Sequence, residues 1–249
     1  MGQRRSIEQH QARIVKTLIT TQVLNGVGVA GTVAAGSLLV ASITDSETLA
    51  GLAQTFSVLG AAAMALPLAR LTNRGGRRLA LSAGLITGLI GSAIAITGGS
   101  TKNIYLMLLG SFLVGAASAS GYQARFAAID LATEENRAKQ LSFVVWGSTI
   151  GAVTGPNLME PSGRIAESFG LPSLVGPYIV SAFTLGLAVL VIYLFLRPDP
   201  YLTAHKDAHA AGIIIKKSFK ETFSHIKSNP AALLAISSIA IGHLVMVAV

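Results

Sequence analysis

The chain has 249 residues, 51% of them hydrophobic and only 12% charged, with a net charge of +8. Ordinary soluble domains carry about 25% charged residues, so this composition excludes a soluble enzyme or binding module and points to lipid. The positive charge sits in connections between apolar runs, which argues against a nucleic-acid surface, and the absence of cysteine excludes disulfides and thiol chemistry.

Residues 1–16 are polar and include Arg4, Arg5, Arg13 and Lys16. Gly2 and Ser6 fit a myristoylation pattern, and Arg4-Arg5 a twin-arginine signal. A chain with many spans gains little from one acyl group, and the apolar run that follows is too long for a signal peptide. The plain reading is a cytoplasmic tail. Seven charge-poor runs follow, Thr17–Thr44, Thr48–Ala69, Leu79–Thr101, Asn103–Ala124, Gln140–Met159, Ser168–Leu196 and Ser228–Val249. The fourth is expected to continue through Arg125 to about Leu131. Each is about the 20 residues that a membrane helix needs, and helices satisfy their own backbone in lipid. The expectation is an all-α, polytopic transmembrane helical bundle. Charge alternates along the connections: the tail, 70–78, 132–139 and 197–227 hold sixteen of the nineteen Lys and Arg residues. Basic connections stay inside, which predicts a multi-pass protein of the cell membrane with a cytoplasmic N-terminus.

The first inward connection reads Ala69-Arg70-Leu71-Thr72-Asn73-Arg74-Gly75-Gly76-Arg77-Arg78. It is a short, strongly basic turn in which the glycines permit a sharp reversal. Its spacing resembles the loop between the second and third helices of the major facilitator superfamily of transporters, Gly-x-x-x-Asp-Arg-x-Gly-Arg-Arg. Arg74, Gly76, Arg77 and Arg78 match that pattern. Ala69 replaces its first glycine, and Asn73 replaces its aspartate, keeping hydrogen-bonding capacity without the charge. The resemblance implies a gating role for this loop and a contact between it and Asp130, at the inner end of helix four. It further implies six helices over 17–196, a connector over 197–227 and the start of helix seven over 228–249, with about five more helices in a missing C-terminal half. Residues 1–249 alone would then insert without transporting.

Within helix four, Ser111, Gly115, Ser118, Tyr122 and Arg125 share one face. A polar stripe in a membrane helix faces the protein interior or a water-filled cavity. Asp130, five positions from Arg125, is turned away from it. Arg125 is therefore expected to meet an anionic group in a central cavity, with Tyr122 and Gln123 nearby. Helix five carries Gly147, Gly151 and Gly155, one smooth face for a close neighbour, then Pro156, expected to kink it. Gly151 to Pro156 resembles part of the superfamily's exporter motif, with Met159 and Glu160 where two glycines would stand. In the connector, Pro198 and Pro200 stop helix six. Ile215, Phe219, Phe223 and Ile226 recur at helical spacing among Lys216, Lys217, Lys220 and Lys227, as in a helix lying on anionic lipid. Asn25-Gly26-Val27-Gly28-Val29-Ala30 lines up with the stretch that begins at His243, a faint internal repeat of the kind such folds carry. No acidic residue lies deep in any run, so a titrating coupling group is either His243 or lies elsewhere. No hydrolytic triad, phosphate-binding glycine loop or metal cluster is present, and no cofactor or metal is expected. The partners expected are the bilayer, a small-molecule substrate with an anionic group, and protons. The function expected is secondary active transport by alternating access, export by proton antiport. Import or uniport on the same scaffold, and a non-transporting assembly subunit, are the alternatives.

Overall fold

The computed structural model describes residues 2–205 and 226–248, with side chains over 11–205 and 226–242. It divides into two units, Met1–Lys206 and Asp207–Val249. The first holds α1 (Gly2–Thr44), a 3-10 turn at Glu47–Leu49, α2 (Leu52–Ser100), α3 (Ile104–Ala127), α4 (Arg137–Asn157), α5 (Met159–Ser168), a 3-10 turn at Ser173–Val175, α6 (Gly176–Phe195) and α7 (Pro200–Ala204). The second holds α8 (Pro230–Ala248). No strand occurs among the described residues, and the fold is an all-α membrane bundle. The amphipathic helix expected around Ile215 to Phe223 falls outside the described residues.

Among the described residues, four segments are long and apolar enough to cross a membrane: Gln11–Thr44, Glu47–Ser100, Ile104–Ala127 and Ser173–Ala204. The second, at 54 residues, would be about 80 Å long as one straight helix, against a hydrocarbon core of about 30 Å. It does not run straight. Gly76 leaves helical geometry with φ 83° and ψ 178°, and Leu68 packs back against Gly84. Eight residues on either side of Gly76 thus meet again, so the chain reverses there and α2 is two antiparallel arms. The reversal is tighter than the ten-residue turn that the sequence suggests, because helix continues up to Gly75 and resumes at Arg77.

Other boundaries also shift. The helix expected to begin at Thr17 already runs from Gly2, and Gln11, Ile14 and Val15 are buried in the bundle, so the tail is not a separate segment. α3 stops at Ala127 rather than near Leu131, closed by tight turns from Ile129 N–H to the Phe126 carbonyl and from Ala132 N–H to the Ile129 carbonyl. Residues 160–167, between the fifth and sixth apolar runs, are helical as part of α5, where Arg164 and Glu160 pair one turn apart. Pro156 does not kink α4 in mid-course. It lies in the last turn, and the chain breaks at Leu158, with ψ 0°, before α5 begins.

Packing relies on close backbone approach, as expected where lipid supplies no hydrophobic drive between helices. Gly151 and Gly155 of α4 seat on Gly26 and on Ala30 and Gly31 of α1, with no room for a further carbon. Two apolar clusters fill the bundle. One, around Ile14, Leu18, Leu81, Leu85, Leu185 and Ile192, joins α1, α2 and α6. The other surrounds Tyr178, whose hydroxyl donates to the Thr32 carbonyl at 3.3 Å.

Candidate functional site

α1, α3 and α4 line an open cavity of about 250 Å³. α1 contributes Gln22, Asn25, Gly26 and Val29, one stripe at helical spacing, and α3 contributes Ser118, Gly121, Tyr122 and Arg125, a second. The gap between the stripes exists because Gly121 has no side chain: a Cβ there would sit 2.6 Å from Asn25 Nδ2 and 3.1 Å from Gln22 Oε1. Asn25 Nδ2 donates to the Ala117 carbonyl at 3.2 Å, which fixes its amide. Gln22 and Asn25 are 2% and 6% exposed, yet Gln22 Oε1, Asn25 Oδ1 and Arg125 Nε are buried without a hydrogen-bond partner. Leaving such groups unpaired costs about 1–3 kcal/mol each. Arg125 lies over the Tyr122 ring, 5.2 Å from its centre. No acidic residue is among those lining the cavity. The arrangement therefore offers one guanidinium, two amide carbonyls and a half-exposed aromatic face.

A second polar cluster ties the reversal at Gly76 to its neighbours. Arg77 grips Asp130 with both ends of its guanidinium, Nε to Oδ2 at 2.8 Å and Nη2 to Oδ1 at 3.1 Å, the fork geometry of a strong pair. Its Nη1 reaches Gln123 Oε1 at 3.4 Å, which also accepts from the Thr72 hydroxyl at 3.2 Å. Arg78 donates to the Tyr193 carbonyl at 2.7 Å and stacks over the Tyr193 ring. Asn73, without a charge, accepts from the Tyr201 hydroxyl at 2.9 Å. At the centre lies Asp199. Its Oδ1 accepts from the backbone N–H of Arg77, Tyr201 and Leu202, and its Oδ2 from that of Arg78 at 2.8 Å. One carboxylate thus caps α7 and the second arm of α2, meeting the positive end of each. A Cβ on Gly76 would collide with it, so this position needs glycine for both its φ and its clearance.

The structure brings Asn25, Ser118, Tyr122 and Arg125 together in the cavity, and Gln123, Arg77 and Asp130 together at the reversal. The expectation that Gln123 stands near Arg125 is corrected: two residues apart is about 200° around a helix, and Gln123 turns to Arg77. The stripe of α3 also divides. Gly115 packs on Ser57 and Ala61 of α2, and Ser111 is buried, away from the cavity. Gly147, Gly151 and Gly155 back the cavity by pressing α4 onto α1. Arg74 is exposed and makes no hydrogen bond or ion pair among the described residues. The His243 side chain lies outside the described residues. Sequence reasoning missed Gln22 and Asp199. Two amides three residues apart in an apolar run were the signal for the first, and Asp before Pro200, a cap followed by proline at the first helical position, for the second.

Comparison with known families matches residues 18–249 to the Major Facilitator Superfamily. The chain is 33% identical over 247 residues, 98% of its length and 57% of the relative's, to a Bacillus subtilis (strain 168) protein named uncharacterized MFS-type transporter YdeG. It is 34% identical over 219 residues, 88% of its length and 49% of the relative's, to YddS of the same organism, named likewise. It is 29% identical over 168 residues, 65% of its length and 40% of the relative's, to the riboflavin transporter RfnT of Brucella anthropi. The chain spans about half the length of the curated relatives it matches.

Proposed function

The chain belongs to the major facilitator superfamily, and from that premise we propose that it works in a secondary transporter that moves a small organic anion across the cell membrane by alternating access. The observation that carries this reading is Arg125: a guanidinium that stays charged, facing a cavity whose lining holds no acid. Such a charge is stabilised by an anion that arrives with the substrate. The N-terminus and the reversal at Gly76 lie on the cytoplasmic side in this proposal, because the arginines cluster there. The reversal acts as the gate. Export by proton antiport is the direction proposed, supported by the partial exporter motif from Gly151 to Pro156, with His243 as the titratable group. A missing C-terminal half would supply the opposite wall of the site.

Uptake into proteoliposomes, and into inverted vesicles with and without a proton gradient, by this chain together with its proposed C-terminal half tests this. Arg125→Lys and Arg125→Gln are both expected to lose most transport, since lysine keeps the charge but not the forked donors. Normal transport by both variants refutes the assignment. Riboflavin belongs in the substrate panel because RfnT is named for it, as the uncharged planar counterpart against which anionic substrates are compared.

A further inference from the structure

On the opposite side of α1 from the cavity lies a groove of about 540 Å³, lined by Arg13, Lys16, Thr17 and Thr20 of α1 and by Val191 and Phe195 of α6. We infer that it holds the headgroup of an anionic phospholipid. Ala12 of α1 lines the groove as well, and the other four α1 residues precede Gln22, Asn25, Gly26 and Val29 by nine positions each. Nine residues are two and a half turns, so the groove faces away from the cavity and toward the outside of the bundle. Arg13 and Lys16 are exposed and enter no ion pair among the described residues. The Thr17 and Thr20 hydroxyls donate to the carbonyls of Arg13 and Lys16, which leaves their oxygens able only to accept, so recognition of an anion falls to the two cations.

The other wall decides what kind of anion fits. Val191 and Phe195 stand one turn apart on α6, and Phe195 is about half exposed. A soluble phosphate gains nothing from that apolar wall, whereas a phospholipid lays its phosphate on Arg13 and Lys16 and its first acyl carbons on Phe195. Both helices are at a membrane boundary here. α6 ends at Phe195, and α1 turns from polar to apolar at Thr17. The lipid belongs to the inner leaflet if the proposed topology holds, but the binding chemistry does not depend on which leaflet it is.

The test is native mass spectrometry of the detergent-purified protein titrated with dioleoyl-phosphatidylglycerol or dioleoyl-phosphatidylcholine. One phosphatidylglycerol is expected to be retained in preference to phosphatidylcholine. Arg13→Gln combined with Lys16→Gln is expected to weaken that binding about 25-fold, at roughly fivefold for each basic residue. Lys102→Gln combined with Arg164→Gln, which removes the same charge elsewhere, is expected to leave it unchanged. Phe195→Ala, which keeps every charge, is expected to weaken it several-fold. Equal retention of both lipids by the wild type overturns the inference, as does undiminished binding in the Arg13/Lys16 variant. Competition by millimolar inorganic phosphate together with full binding by Phe195→Ala would identify a soluble-anion site and also overturn it. Mass spectrometry is blind to sidedness and to transport, so failure here is distinct from failure of the proposed topology or function.

Discussion

Asp199 serves two helices with one side chain, and its loss should be felt by both. Removing a cap typically costs about 1 kcal/mol. Asp199→Ala uncaps α7 and the second arm of α2, so a loss of about 2 kcal/mol is expected, read as a lower midpoint of thermal unfolding in detergent. Asp199→Asn, which can still accept hydrogen bonds, should recover part of it. Gly121 tests the cavity without touching a charge. Gly121→Ala places a carbon 2.6 Å from Asn25 Nδ2, and it should abolish substrate binding while thermal stability stays within about 1 kcal/mol, because the cavity itself gives room for the amides to move. Transport at the wild-type rate by this variant would place the substrate elsewhere. These residues differ in how far the sequence discloses them. Arg125, Tyr122 and Ser118 are legible because a shared helix face needs only spacing. Asp199 is half legible: Asp before Pro announces a local cap, but its bonds to Arg77 and Arg78 span 122 and 121 residues, and no local pattern records them.

At the scale of elements, α4 is held by small residues rather than by large apolar ones. A Cβ on Gly151 would lie 2.6 Å from Gly26 Cα, backbone against backbone, with no flexible side chain to give way. Gly151→Ala should therefore force α1 and α4 apart and destabilise the bundle by about 1–3 kcal/mol. Trp146, the single tryptophan, lies on the same helix, so its emission follows the unfolding of α4. An unchanged unfolding midpoint would mean that the helices separate at no cost. The apolar runs disclose where helices lie, since lipid leaves the backbone no alternative. They disclose the ends less well. α1 extends past its polar start because Gln11 finds buried partners in the Ala128 carbonyl and Gln140, and α5 forms in a stretch that composition alone reads as a loop, since its packing against Ser173 and Gly176 is tertiary.

For the whole molecule, the absence of cysteine makes sidedness measurable one position at a time. Arg74→Cys and Glu135→Cys should react with an impermeant maleimide only in inside-out vesicles, and Lys102→Cys and Glu160→Cys only in right-side-out ones. The reverse pattern would invert the proposed topology and place the gate outside. The reversal at Gly76 also has a consequence in time. During synthesis the amides of Arg77 and Arg78 emerge 122 and 121 residues ahead of the carboxylate that caps them. At about 5–20 residues per second that is a wait of roughly 6 to 24 s. Through that interval the Arg77–Asp130 pair, complete once Asp130 has emerged, holds the reversal by a side chain while these two backbone amides stay uncapped. Those caps form only once the ribosome has delivered the end of α6, so a chain that stalls before Asp199 keeps the Arg77 and Arg78 amides without their acceptor.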